Sequence, residues 1–188
     1  MSVPFFGCTP CHRLRALAFL SATTLLLVAC SPTFNWRALR PEGAAVQALM
    51  PCKPESATRP APLDGGAPVE LHMHSCEAGG LTFALAWAEL GDAARVPAAL
   101  AGWRRASLVA VRVDPARADD PDNTFDATVA GAAQVQGLRA QGTGPTGQPV
   151  QMRAVQLARG TQVVQAAVYG PAVSDELAAT FFEGIKLP

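Results

Sequence analysis

The chain is poor in lysine, in histidine and in charge. Lys53 and Lys186 are its only lysines, the other basic residues are arginines, and its three histidines are His12, His72 and His74. Fifteen Lys and Arg stand against 15 Asp and Glu, so there is no basic surplus. That argues against nucleic acid or an anionic surface as a partner. No G-x-S-x-G is present, and no nucleophile with an orienting carboxylate is evident beside the histidines, so nucleophilic catalysis has no support. The stretch "GTGPTGQ", Gly142 to Gln148, lacks the lysine and the following helix of a phosphate loop, and no dinucleotide fingerprint appears. The longest apolar run, Ala16 to Ala29, is too short to span a bilayer comfortably, which needs about 20 apolar residues. Abundant Ala, Gly and Pro, with arginine in place of lysine, read as compositional bias more than function.

What the chain does have begins with an address. His12, Arg13 and Arg15 form a basic segment without a nearby acid, and the apolar run follows directly. This is the layout of a signal peptide. The run ends in "LVAC", Leu27 to Cys30, which resembles the lipobox of bacterial lipoproteins. The resemblance implies cleavage before Cys30, diacylation of its sulfur and acylation of the new amine. The competing readings are an ordinary secretory signal cut near Ala29, or an uncleaved anchor. Two or more acyl chains anchor stably where one binds only marginally, at about 0.8 kcal/mol per buried methylene. Ser31 rather than Asp after the cysteine implies, by the sorting rule of enteric lipoproteins, the outer membrane over the inner.

Removing residues 1–29 leaves 159 of 188 residues, enough for one domain with a real core. The leader takes two arginines with it, so 13 basic residues face 15 acidic ones, a net charge of −2. Residues 30–44 read as anchor and tether, and 45–188 as a single domain. Phe34, Trp36 and Leu39 in the tether could sit at the lipid interface or, the preferred reading, dock on the domain.

The domain opens in strands. Ala45 to Pro51 alternates weakly. Ser56 to Leu63 carries Pro60 and Pro62, which cannot donate ladder hydrogen bonds, so it is expected at an edge. A hairpin signal, Asp64-Gly65-Gly66, precedes a cleanly alternating strand. Val69, Leu71 and Met73 point one way; Glu70, His72, His74 and Cys76 point the other. Leu81 to Leu90 follows, with Leu81, Phe83, Leu85 and Trp87 on one face and Ala84, Ala86 and Ala88 on the other. Both faces are apolar, which predicts a strand covered on both sides. A helix begins at an Asp92 cap or slightly later with Pro97 in its first turn, and carries Val96, Leu100, Trp103 and Leu108. "DPARADDPDNT" is expected to be a mobile loop. Gln134 to Gln141, Val150 to Leu157 and Gln162 to Tyr169 read as three more strands. Ser174 caps a last helix with Asp175 and Glu176 in its first turn. The fold class is therefore α+β: a mostly antiparallel sheet of about six to seven strands with two packed helices.

The order of elements, the "P..P" turn at Pro51 to Pro54 and the Phe-rich tail from Phe181 to Leu187 resemble the small PsbP/Mog1-like domains of bacterial lipoproteins. The resemblance spans about Ala45 to Pro188. It implies a fold and no single activity.

Five cysteines remain to be placed. Cys8 and Cys11 form a C-x-x-C ahead of the apolar run, where it would be discarded with the leader. Cys30 is the lipid acceptor. Cys52 and Cys76 are left as an even pair in an oxidising compartment. An Asp64-Gly65 loop would set Lys53 opposite Cys76; a Gly65-Gly66 loop would set Glu55 there. Either register brings Cys52 beside Cys76, and we expect a disulfide closing a 25-residue loop, worth about 3.5 kcal/mol by chain entropy.

"HMHSC", His72 to Cys76, also invites a metal reading. A zinc site wants three or four converging ligands, and residues two apart on a strand lie about 6.6 Å from each other. The third member of the row is hard to include, and an oxidised Cys76 is no ligand. A solvent-facing strand face is expected, with a metal held by His72 and His74, or a pH-sensitive or ligand-contacting histidine pair, as the alternatives. Asp120, Asp122, Thr124 and Asp126 match a calcium loop at alternate positions, but Phe125 stands where it needs Gly and Gly131 where it needs Glu. The expectation is thus a lipid-anchored envelope protein whose periplasmic domain binds or serves a structural accessory role. It would have no catalytic residues, no cofactor, the membrane as one partner and an envelope protein as another. The alternative is a metal-binding or enzymatic protein working through His72 and His74.

Overall fold

The computed structural model describes residues 33–132 and 135–188. The leader 1–29, Cys30, Ser31 and Gln134 lie outside them. The domain spans Phe34–Pro188. Its strands are β1 (Arg37–Leu39), β2 (Ala48–Met50), β3 (Glu55–Ala61), β4 (Val69–Ala78), β5 (Leu81–Glu89), β6 (Thr124–Phe125), β7 (Val135–Thr143), β8 (Pro149–Arg159) and β9 (Gln162–Gly170). Helix α1 (Val96–Ala110) lies between β5 and β6, and α2 (Asp175–Glu183) follows β9. The fold is α+β. Seven strands form one antiparallel sheet in the order β3-β4-β5-β9-β8-β7-β6, and β1 and β2 form a small second one.

The side-chain pattern explains the layering. On β5, Leu81, Phe83, Leu85 and Trp87 join one core with α2, the small sheet and the C-terminal tail. Ala86 and Ala88 face the other way, under Ala99 and Trp103 of α1. A strand sandwiched on both sides must be apolar on both faces, and β5 is. The tail closes the first core: Ile185 and Leu187 are buried, and the backbone of Lys186 pairs with Gln47 and bridges to Ala130. Ser174 caps α2 by accepting the Leu177 N–H at 3.3 Å. Asp92 caps a short 3₁₀ turn at Ala93–Arg95, and α1 continues from it with Pro97 in its first turn. The two proposed helix starts are both used.

Phe34, Trp36 and Leu39 pack on the first core, and Phe34 and Trp36 meet Phe83 edge-on at 6.2 and 6.5 Å. The chain is thus already docked from Phe34 onward, with β1 paired to β2. The acidic segment expected to be mobile forms two 3₁₀ turns, Pro115–Asp119 and Pro121–Asn123. Asp114 caps the first, and the buried Asn123 donates to the Arg117 carbonyl at 2.9 Å.

The β3–β4 register differs from both expectations. Glu55 pairs with Ser75 and Ala61 with Val69, one residue away from each predicted alignment. Cys76 therefore faces neither Lys53 nor Glu55. The connection runs from Pro62 to Pro68 instead of being a two-residue turn, because neither proline can donate to a ladder and Asp64 is occupied elsewhere. Arg95 grips its carboxylate through Nε at 2.6 Å and Nη2 at 3.1 Å, and also donates to the carbonyls of Leu90 and Ala67. That guanidinium, helped by the Gly66 N–H, holds Asp64 down to about 2. The loop presses on α1 where Gly102 leaves room; a Cβ there would strike the Leu63 carbonyl oxygen.

Candidate functional site

The strand row from His72 to Cys76 is the first place to look. Cys52 and Cys76 form the disulfide, with Cα atoms 5.9 Å apart. Cys76 is buried against the first core. The histidines do not face open solvent as expected. Both are half-buried, on the face of β4 that they share with Cys76. His72 lies flat on Trp87 at 4.2 Å between ring centres, and its Nδ1 meets the Thr58 hydroxyl at 3.2 Å. His74 Nδ1 meets the Ser56 hydroxyl at 2.8 Å. Burial, and then the neighbouring His72, lower the His74 pKa below its ordinary value. Folding therefore favours neutral His74. Protons taken up as pH falls through the unfolded value go preferentially to the unfolded chain, so His74 weakens the fold on acidification.

Each imidazole thus spends one nitrogen on a β3 hydroxyl. Among the described residues no three His, Cys, Asp or Glu side chains converge to hold a metal ion. The acidic loop supplies no such group either: Asp120 is paired with Arg117 at 2.9 Å. The reading through His72 and His74 gains no geometric support.

The opposite face of the sheet is more informative. An open groove of about 390 Å³ runs between α1 and the β3–β4–β5 edge. Ala84 and Ala86 form its floor, Leu71 and Met73 one side, and Trp103 and Ala106 the other. It lies where β5 presents the small side chains of Ala84 and Ala86 on this face. A helix packed on larger residues would have been fitted without a gap. Small-molecule sites occupy clefts of about 300–1,000 Å³ lined mainly by apolar groups with a few placed polar ones.

The polar groups here are glutamines. Cross-strand pairing aligns Met73, Ala86, Gln165, Gln156 and Gln136 in one row across β4, β5, β9, β8 and β7. Helix α1 crosses that row. Ser107 donates to Gln165 Oε1 at 2.9 Å, and Gln156 Nε2 donates to the same oxygen at 2.6 Å. Ser107, Gln156 and Gln165 are all buried. At the groove's far end, Tyr169 also lines a second cavity of about 640 Å³ with Ala110, so the two adjoin. Burial pushes the Tyr169 phenol up to about 12. The groove's lining holds no histidine or cysteine, and its one carboxylate is Glu55 on the exposed rim.

Sequence reasoning found the small face of β5 but missed the glutamine row. The available signal was a Gln set within an apolar stretch of each of two strands, at "VQLA" and "VVQAAV". A polar residue on a doubly covered strand must find a buried partner. Compared with family models, with curated proteins and with solved structures, the chain matches none of them.

Proposed function

We propose that the chain is an exported lipoprotein, held through acylated Cys30 at the periplasmic side of the outer membrane. Its α+β domain acts there as a binding or structural accessory module for the cell envelope. The anchor rests on the Leu27–Cys30 lipobox directly after a signal-peptide pattern. The binding role rests on one observation: the groove beside α1, floored by Ala84 and Ala86, with Ser107 and Gln165 buried at its base. Its chemistry suits a molecule or chain segment that is mostly apolar with one or two hydrogen-bonding groups.

The neutral naphthylamine dye N-phenyl-1-naphthylamine serves as a probe. Fluorescence titration of the full chain is expected to give saturable binding. Ala106→Phe, on an exposed helix position that lines the groove, fills it without touching the core. It should weaken the dye at least about tenfold, a loss of about 1.4 kcal/mol. Unchanged dye affinity in the folded variant would remove the groove from the account.

A further inference from the structure

The seven-stranded sheet ends differently on its two sides. At one edge β6 is two residues long, and a very short strand is a common way of blunting an edge. At the other edge β3 is seven residues long, and Glu55 to Pro60 are all exposed. The inner side of β3 is paired with β4 from Glu55 to Ala61. Among the described residues no backbone group bonds to its outer side. The strand is also fastened at both ends. The Cys52–Cys76 bridge holds the chain just before it, and the Arg95–Asp64 pair holds the chain just after it. A long open edge held in place is a template for a further strand.

The order of its side chains selects the partner. We propose that β3 pairs antiparallel with β3 of a second copy of this chain, about a two-fold axis through Ala57. Along a strand, residues whose N–H and C=O face one neighbour alternate with residues whose groups face the other way. Two identical strands must therefore match odd residues to odd and even to even, so each allowed register centres on one residue. With Ala57 at the centre, Glu55 lies opposite Arg59 of the second copy, twice by symmetry. Ser56 lies opposite Thr58. Opposite charges and paired hydroxyls are favourable cross-strand combinations. Within the chain itself, neither Glu55 nor Arg59 has an ion-pair partner among the described residues. Pro54 lies opposite Pro60, so the residues that cannot donate face each other and bound the ladder at both ends. The adjacent registers are poorer. Centring on Ser56 sets Arg59 against Lys53, and centring on Thr58 sets Pro60 against Ser56 inside the ladder. The pairing is isologous and closes on itself, which is the commonest form of a homodimer. The backbone bonds supply the attraction, while the exposed charges fix the register. Paired residues share a face, so both α1 helices stand on the same side of one continuous sheet. Glu55, Ala57 and Arg59 line the groove, so β3 of the second copy extends its floor. The pairing does not depend on what the groove binds.

The test is sedimentation velocity of the full chain in detergent, with variants at exposed positions of β3. The parent should be dimeric at about 100 µM. Glu55→Arg sets two guanidinium groups opposite each other, and Arg59→Glu sets two carboxylates opposite each other. Each should weaken the dimer at least about tenfold. Glu55→Arg combined with Arg59→Glu restores opposite charges and should return the affinity to within about threefold of the parent. Ala57→Cys should link two copies on oxidation, because directly opposed Cα atoms lie about 4.5–5.5 Å apart, within a disulfide's reach of about 4.4–6.8 Å. Glu55→Cys should not, since its two copies would lie about 14 Å apart along the strands. A chain that stays monomeric up to about 1 mM overturns the proposal and leaves this edge to a strand of another protein. A dimer that both single charge reversals leave unaltered also overturns it, because another surface would then hold the copies together.

Discussion

The Cys52→Ala/Cys76→Ala protein is expected to melt about 7–14 °C below the parent chain. The bridge closes 25 residues, counting both cysteines of a pair 24 apart, which in the chain-entropy account is worth about 3.5 kcal/mol. For a domain of this size each kcal/mol moves the melting point by about 2–4 °C. The local ladder gives reason to expect the full effect. Strand β3 is an edge strand, exposed over most of its length, and it carries Pro60. Its far end is fastened independently by the Arg95–Asp64 clamp. The bridge fastens the open end, where β3 has just left the core. Differential scanning calorimetry of the double variant, and of the parent under reducing conditions, should give the same drop. A loss under about 1 kcal/mol would mean that the clamp alone fixes the hairpin and that the disulfide is incidental.

Phe181→Ala is expected to cost about 3–5 kcal/mol, the usual range for deleting a buried aromatic ring. Phe181 is fully buried and meets Phe83 edge-on at 5.3 Å and Phe182 at 5.6 Å. It ties α2 to the sheet beside the docked Phe34 and Trp36. It also sits four residues before Ile185, where the tail turns back to pair with Gln47. Denaturant unfolding followed by tryptophan fluorescence reads the loss. A cost below about 1.5 kcal/mol would show that the site collapses around the gap, and that the small sheet and not α2 closes this core.

Much of the architecture was legible because alternation and helix caps are local. The two-faced apolar pattern of β5, the proline-marked edge strand, the Ser174 cap and the Cys52–Cys76 pairing can each be read within a few residues. The errors lie where distant residues decide. Asp64-Gly65-Gly66 reads as a tight turn until Arg95, 31 residues on, claims the carboxylate and opens the loop from Pro62 to Pro68. The acidic segment reads as mobile until Arg104, on α1, binds the Ala118 carbonyl. The histidines read as exposed because nothing nearby in sequence announces that Trp87 lies under His72. The groove beside α1 is the hardest case. It arises from small residues on one strand, glutamines on three others and the crossing of a helix, a conjunction that only the register brings together.

The central claim, that a lipid anchor carries this domain, is tested most directly by mass spectrometry of the intact protein purified from membranes. The account predicts a mature chain beginning at Cys30, heavier than the 159-residue polypeptide by a diacylglyceryl group and an N-acyl chain. A polypeptide of unmodified mass, or one whose N-terminus lies elsewhere, would contradict it.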